Sequence, residues 1–438
     1  MDIESVRARF ARPCACGRVH EFPPREVLTE PGCLAKLPSC VRKLGGKPFV
    51  VSDPCTEKAC GGAVKALLRE SGIPFADFVI PEEMPSPDEK TAGVLLLHFD
   101  PSCDLILGVG SGVINDCCKL LAAASRRPFL LVATAPSMDG FCSDTSSMDR
   151  DGLKVSIPSH GADLILGDPE ILREAPMDAL LAGLGDMLAK YVSLCEWRIS
   201  ELVTGEYYCG EVADLVREAL RRCAENAEGL VRRETEAVRA VMEGLVLGGL
   251  AMSLAGCSRP ASGAEHYISH LMDMRSLAFG SFTDRHGLNC AFGTLEVIRR
   301  YEKLMTLTPD PARARRETES FDLPAWQQTL RTLIGPGALA MEALEEKEGK
   351  YRREHVEARQ QALFAHWDEI RAIIREELPP YGELLGFCRK LGLPTEPAHF
   401  GLDRETLGLI FRATKDIRNK YILSMLAWDL GLLEEIAE

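Results

Sequence analysis

The chain is 438 residues long, room enough for two or three domains, and its 46% apolar and 26% charged content is that of a folded globular protein, which excludes a disordered chain. Acidic residues outnumber basic ones 65 to 51, and the formal charge of −14 excludes a mainly electrostatic partnership with nucleic acid or anionic lipid.

The opening stretch MDIESVRARFARPCACG has mixed charge and no apolar run, and internal runs such as Leu245 to Gly256 are too short to cross a bilayer. A cytoplasmic protein without integral membrane association is expected. The sixteen cysteines include the neighbours Cys117 and Cys118 and are scattered through helix-like and strand-like segments, which predicts reduced, mostly buried thiols and no disulfide framework. Cys14, Cys16 and His20 form a Cys-x-Cys-x3-His cluster. It is one ligand short of a zinc set, with no fourth partner nearby in sequence, so no metal is expected there.

Further on, apolar runs and helical spacing alternate. Lys47 to Ser52 predicts a buried strand, Thr56 to Ser71 a helix, Phe75 to Ile80 a strand and Pro87 to Phe99 a helix. Cys103 to Val109 predicts a strand, Val113 to Ala124 a helix and Phe129 to Thr134 a strand. This order implies a mostly parallel sheet covered on both faces. After Asp168-Pro169 β-branched runs give way to Ala-, Leu-, Glu- and Arg-rich segments with helical spacing. The expected architecture is therefore α/β plus all-α: a parallel-sheet domain over 1–168, then a helical domain over 169–438. Between Thr306 and Leu378, Pro309, Pro311, Pro324 and Pro336 interrupt the pattern before one charged, solvated helix near Ala340 to Glu377.

Gly108, Gly110, Ser111 and Gly112 lie between a strand and a helix, where small residues let backbone N–H groups approach a phosphate. The generic Gly-x-Gly-x-x-Gly fingerprint fails, because Val113 stands at its third glycine. Asp53 closes the first clear strand and could accept ribose hydroxyls. The loop TAPSMDGFCSD carries Thr134, Ser137, Asp139 and Ser143 past a strand's C-terminal end, where open α/β sheets bind ligands, although Pro136, Asp139 and Gly140 would also make an ordinary turn. In the helical half, Asp186, His266, His270 and His286 are possible metal ligands. One carboxylate and two imidazoles would leave an open position, and His266 and His270, four apart, share a helical face.

The ordered segments GVGSGVINDCCK, TAPSMDG, GLGDMLAKY and SGAEHYISH, followed by His286-Gly287, resemble glycerol-1-phosphate dehydrogenases, within the superfamily of iron-containing alcohol dehydrogenases and dehydroquinate synthases. The resemblance runs from about Cys14 to the terminal WDLGLLEEIAE. It implies an N-terminal nucleotide-binding domain, a C-terminal helical domain, and reduction of dihydroxyacetone phosphate to sn-glycerol 1-phosphate by NADH or NADPH. By the same analogy Asp53, Gly110, Ser111, Gly112, Thr134, Ser137 and Ser143 contact the cofactor, and Asp186, His266 and His286 hold one divalent metal, zinc first, with nickel or iron as alternatives. Asp139 and His270 then serve catalysis and substrate binding, with Asp186 also beside the substrate, and a homodimer or larger homo-oligomer is implied. Lys154, Lys190 and Arg259 are candidate partners for the substrate phosphate. Alternatives on the same fold are a dehydroquinate-synthase-like cyclase and a glycerol-type polyol dehydrogenase; a non-catalytic nucleotide-binding scaffold is the reading from another class.

Overall fold

A computed structural model describes residues 3–20, 26–150 and 153–438, so the first two residues of the opening stretch lie outside it. Eight strands are used below: β1 (Glu26–Leu28), β2 (Pro48–Ser52), β3 (Ala76–Val79), β4 (Leu105–Gly110), β5 (Phe129–Ala133), β6 (Thr145–Arg150), β7 (Leu153–Pro158) and β8 (Leu164–Leu166). Six helices matter to the site: α1 (Gly112–Ser125), α2 (Met177–Leu188), α3 (Lys190–Thr204), α4 (Thr235–Ala255), α5 (Ala264–Phe279) and α6 (His286–Thr306). The chain forms two compact units, Met1–Met187 with Glu211–Cys257, and Leu188–Gly210 with Ser258–Glu438.

The first unit holds a six-stranded sheet in the order β1-β8-β5-β4-β2-β3, parallel at every pairing. Every residue of β2, β4 and β5 is buried, as expected when a parallel sheet is covered on both faces. Val50 pairs with Leu107, and Leu107 with Leu130, so apolar side chains from three strands stack on one face against Val64 and Leu68. The predicted strands fall where the apolar runs lie. The helix expected over Thr56 to Ser71 is present in pieces, with a π-helical turn over Glu57–Gly61. Patterning does not foresee β1 and β8, which have three residues each, nor the polar antiparallel hairpin β6-β7.

Helix α4 belongs to this first unit. By length and composition it could span a membrane, more so than the Leu245 to Gly256 run suggested, yet 83% of its most apolar window is buried inside the chain. It is anchored by the buried carboxylate of Glu243, which accepts hydrogen bonds from Thr29 (2.8 Å), Arg222 (2.8 Å) and Arg239 (3.0 Å).

The second unit is helical. The single charged helix expected near Ala340 to Glu377 is instead three: Gly337–Glu348, Arg353–Ala365 and Trp367–Glu377. Gly349 ends the first in a left-handed conformation (φ 61°), and His366 separates the other two. Pro311 and Pro324 start helices instead of breaking them. Each lies in a first turn capped by an aspartate, Asp310 or Asp322, where the missing N–H costs nothing.

Candidate active site

Because the sheet is parallel, the C-terminal ends of neighbouring β2, β4 and β5 open on one edge, which brings Asp53, Gly110 to Gly112 and the Thr134 to Ser143 loop together. The two flanking glycines do different work. A Cβ on Gly110 would lie 2.5 Å from Ile114 Cβ, so this glycine is required by packing, whereas one on Gly112 would meet only Met138 Cγ at 3.5 Å. The space in front of Gly112 is open to a ligand. The Ser111 side chain makes no cap hydrogen bond at the start of the fourteen-residue α1, whose first-turn N–H groups lie at the positive helix end. Asp53 caps the turn after β2, accepting from Thr56 N–H at 2.8 Å, and burial pushes its carboxyl pKa up despite that bond.

The loop after β5 is tightly held. A Cβ on Gly183 of α2 or Gly249 of α4 would fall far inside contact distance of the Pro136 or Asp139 carbonyl oxygen, so both helices pack directly on loop backbone. From α1, Lys119 Nζ donates to the Gly140 carbonyl (3.0 Å) and to Ser143 Oγ (3.1 Å), and Asn115 Nδ2 donates to the Gly140 carbonyl (3.2 Å). Lys119 is fully buried and pairs with Asp116 at 2.9 Å. Sequence reading missed it. The signal was a lysine amid the apolar residues of CCKLLAAA. The Ser143 hydroxyl lies within reach of the Gly140 and Thr145 carbonyls, so it serves the loop's own structure. Asp139 N–H donates to Asp186 Oδ2 at 2.9 Å, which fixes the orientation of that buried carboxylate.

In the second unit, α5 starts after Gly263, and its first turn is set by Glu196 of α3. The two Glu196 oxygens accept from Ala264 N–H and Leu423 N–H, each at 2.8 Å. Burial and the neighbouring Glu265 push the Glu196 carboxyl up to about 8 against those bonds. His266, His270 and His286 converge: ring centroids lie 5.1 Å apart for His266 and His286, 5.8 Å for His270 and His286, and 6.4 Å for His266 and His270. His266 Nδ1 lies 2.8 Å from Glu265 Oε1, so this nitrogen donates and Nε2 is left as the ligand atom. Cys290, one turn along α6, places its sulfur 3.5 Å from His286 Nε2. Burial acts to raise the Cys290 thiol pKa, but His266 and His286 outweigh it and the net direction is down. The donor atoms of His266, His286 and Cys290 all lie within 4.8 Å of one another, as do those of His270, Asp273 and His286. Cys290 escaped sequence reading, although His286-x3-Cys290 has the same four-residue spacing as the histidine pair on α5.

The three cations suggested for phosphate are engaged with the protein itself. Lys154 pairs with Asp149 at 3.0 Å, buried Lys190 donates to the Ala261 carbonyl at 3.1 Å, and buried Arg259 bonds Glu206 (2.8 Å) and Ser200 (2.9 Å).

Comparison with known proteins bears on the fold and the family. The glycerol dehydrogenase of Schizosaccharomyces pombe has the same fold, at a TM-score of 0.62 and 18% identity, covering 95% of this chain and 91% of that one. The family model for iron-containing alcohol dehydrogenases matches residues 28–176, the glycine turn and strands β2 to β8 included. The protein is thus of the iron-containing alcohol dehydrogenase class in fold. Glycerol-1-phosphate dehydrogenase [NAD(P)+] from Halalkalibacterium halodurans is 30% identical over 72% of this chain and 77% of its own length, and that from Bacillus velezensis is 34% identical over 61% and 70%. This chain belongs to the glycerol-1-phosphate dehydrogenase family.

Proposed function

We propose that this protein interconverts dihydroxyacetone phosphate and sn-glycerol 1-phosphate with NAD(H) or NADP(H), using one divalent metal held by Asp186, His266 and His286. The observation that carries the reading is the His266–Glu265 pair beside His286: a carboxylate fixes the first imidazole's tautomer and leaves its other nitrogen as a donor, as at metal-binding histidines generally. The donors fit a borderline ion, with zinc preferred over nickel or iron where imidazoles and a nearby thiol gather.

When bound, the metal supplies Lewis acidity toward the substrate oxygen and the nicotinamide supplies the hydride. The protein's own part is positional. The first turn of α1 would hold the cofactor pyrophosphate before Gly112, with Ser111, Thr134 and Ser137 beside it and Asp53 for the ribose. Gly110 and Ser143 act by shaping the turn and the loop. His270 relays the proton to the product oxygen, and Asp139 contacts substrate from a loop that Lys119, Gly183 and Gly249 immobilise. A cytoplasmic homodimer or larger assembly is part of the same reading.

The test is oxidation of NADH and NADPH with dihydroxyacetone phosphate beside dihydroxyacetone, by enzyme reconstituted with zinc, nickel or iron. Turnover that requires the phosphate, and reverse reaction with sn-glycerol 1-phosphate but not its enantiomer, is the expected result. Equal rates with the unphosphorylated ketone would make the protein a polyol dehydrogenase. Phosphate release from a sugar phosphate without net cofactor turnover would make it a cyclase.

A further inference from the structure

The segment CACGRVH, which the proposed dehydrogenase chemistry leaves unused, gathers metal-ligating side chains. Cys14 and His20 are buried, and the donor atoms of Cys14, Cys16 and His20 lie within 4.8 Å of one another. Cys16 Sγ is 3.5 Å from His20 Nε2. Zinc–sulfur and zinc–nitrogen bonds at a tetrahedral angle set that edge at about 3.6 Å. His20 Nδ1 lies 2.6 Å from the Leu254 carbonyl and must donate to it, so the imidazole is fixed in the tautomer whose Nε2 lone pair faces the thiols. The turn between the cysteines and the histidine is closed by Gly17 N–H donating to the Cys14 carbonyl at 3.0 Å. Gly17 is left-handed (φ 79°) with nothing near a would-be Cβ, so the conformation, not the space, requires glycine. Phe10 packs edge-on against the His20 ring with centroids 5.3 Å apart, shielding one side.

We propose that Cys14, Cys16 and His20 hold a structural zinc ion, separate from the dehydrogenase metal. Zinc binding takes two thiolates and a neutral imidazole; the thiol protons leave to solvent and nothing is oxidised. The ion clasps the N-terminal segment to the end of α4, where Arg18 also reaches the Ala255 carbonyl at 3.3 Å.

The experiment is metal analysis and cobalt substitution of the full-length protein in a His266→Ala/Cys290→Ser background, where the dehydrogenase site has lost two donors. The expected result is one tightly held zinc per chain and a thiolate-to-cobalt absorption band, both lost on adding Cys14→Ser, Cys16→Ser or His20→Ala. In otherwise wild-type enzyme, Cys16→Ser keeps kcat within about twofold once the other metal is supplied. Absence of the band in the background protein overturns the proposal without needing any N-terminal variant to fold. Unchanged zinc in Cys14→Ser and Cys16→Ser overturns it equally, since a plain thiol–imidazole hydrogen bond would then account for the 3.5 Å contact. None of these outcomes bears on whether the enzyme reduces dihydroxyacetone phosphate.

Discussion

His266 and His270 stand four apart on α5, yet their surroundings differ. His266 is buried with its Nδ1 engaged by Glu265, whereas His270 is half-buried and can share His286 with Asp273. His266→Ala is expected to lose bound metal and turnover together, and His270→Ala to keep metal and cofactor while kcat drops about 10²–10⁴-fold, the usual worth of a proton relay. Metal loss in His270→Ala equal to that in His266→Ala would instead make His270 a ligand. The paired glycines give a similar contrast. Gly112→Val should abolish NADH binding in a folded protein, while Gly110→Ala should lower stability by about 1–3 kcal/mol through its clash with Ile114, as urea unfolding would read. Lys415 sets a pH dependence. Burial pulls its pKa down to about 8 against the pull of Asp416, and Nζ bonds Tyr351 Oη at 2.6 Å beneath the Trp326 ring. With the folded pKa below the unfolded value of 10.5, the unfolded chain holds the extra proton between those limits. Lys415 therefore favours folding most above 10.5 and loses that contribution as pH falls to 8. Relative to Lys415→Met, the wild-type urea midpoint should rise across this window, and parallel curves would refute the assignment.

At the scale of elements, α2 and α4 act as a clamp on the loop that carries Asp139. Gly183→Ala is informative because two effects oppose each other. Alanine improves helix propensity by about 1 kcal/mol, but its Cβ would enter the Pro136 carbonyl, and overpacking of this kind costs about 1–3 kcal/mol. Net destabilisation with a fall in kcat/KM is expected; a more stable and fully active variant would show that the loop adapts. The alternating strands and helices of the first unit, and the turns at the C-terminal ends of its longer strands, were legible in the chain because buried parallel strands are unbroken apolar runs followed by turns. The three-residue β1 and β8 carry too few positions to show a period, and the β6-β7 hairpin is too polar to stand out. The long charged helix was misread because charged residues continue across Gly349 and His366, where the backbone ends one helix and starts the next.

At the scale of the whole molecule, the edge proposed for the cofactor is built from first-unit residues, whereas the imidazoles proposed to hold the metal belong to the second unit. Dialysis against a chelator should therefore abolish turnover and leave NADH affinity within about threefold, measured by fluorescence titration. Loss of NADH binding with the metal would show that the edge does not stand by itself.

Sequence alone indicated the longer strands and helices of the first unit, the glycine turn and the loop after β5, and it offered Asp186, His266, His270 and His286 as candidates, because these rest on local spacing and on an ordered set of motifs. Only the tertiary structure decided what depends on distant neighbours. It assigned α4 to the sheet-bearing unit, gave Gly110 to packing and Gly112 to open space, and committed Arg259, Lys154 and Lys190 to protein partners. It also joined Lys119 to the loop after β5, and Glu265 and Cys290 to the histidines. The physical reason is the same in each case: a buried polar group or a close backbone approach is defined by what faces it, and residues remote in the chain provide that face.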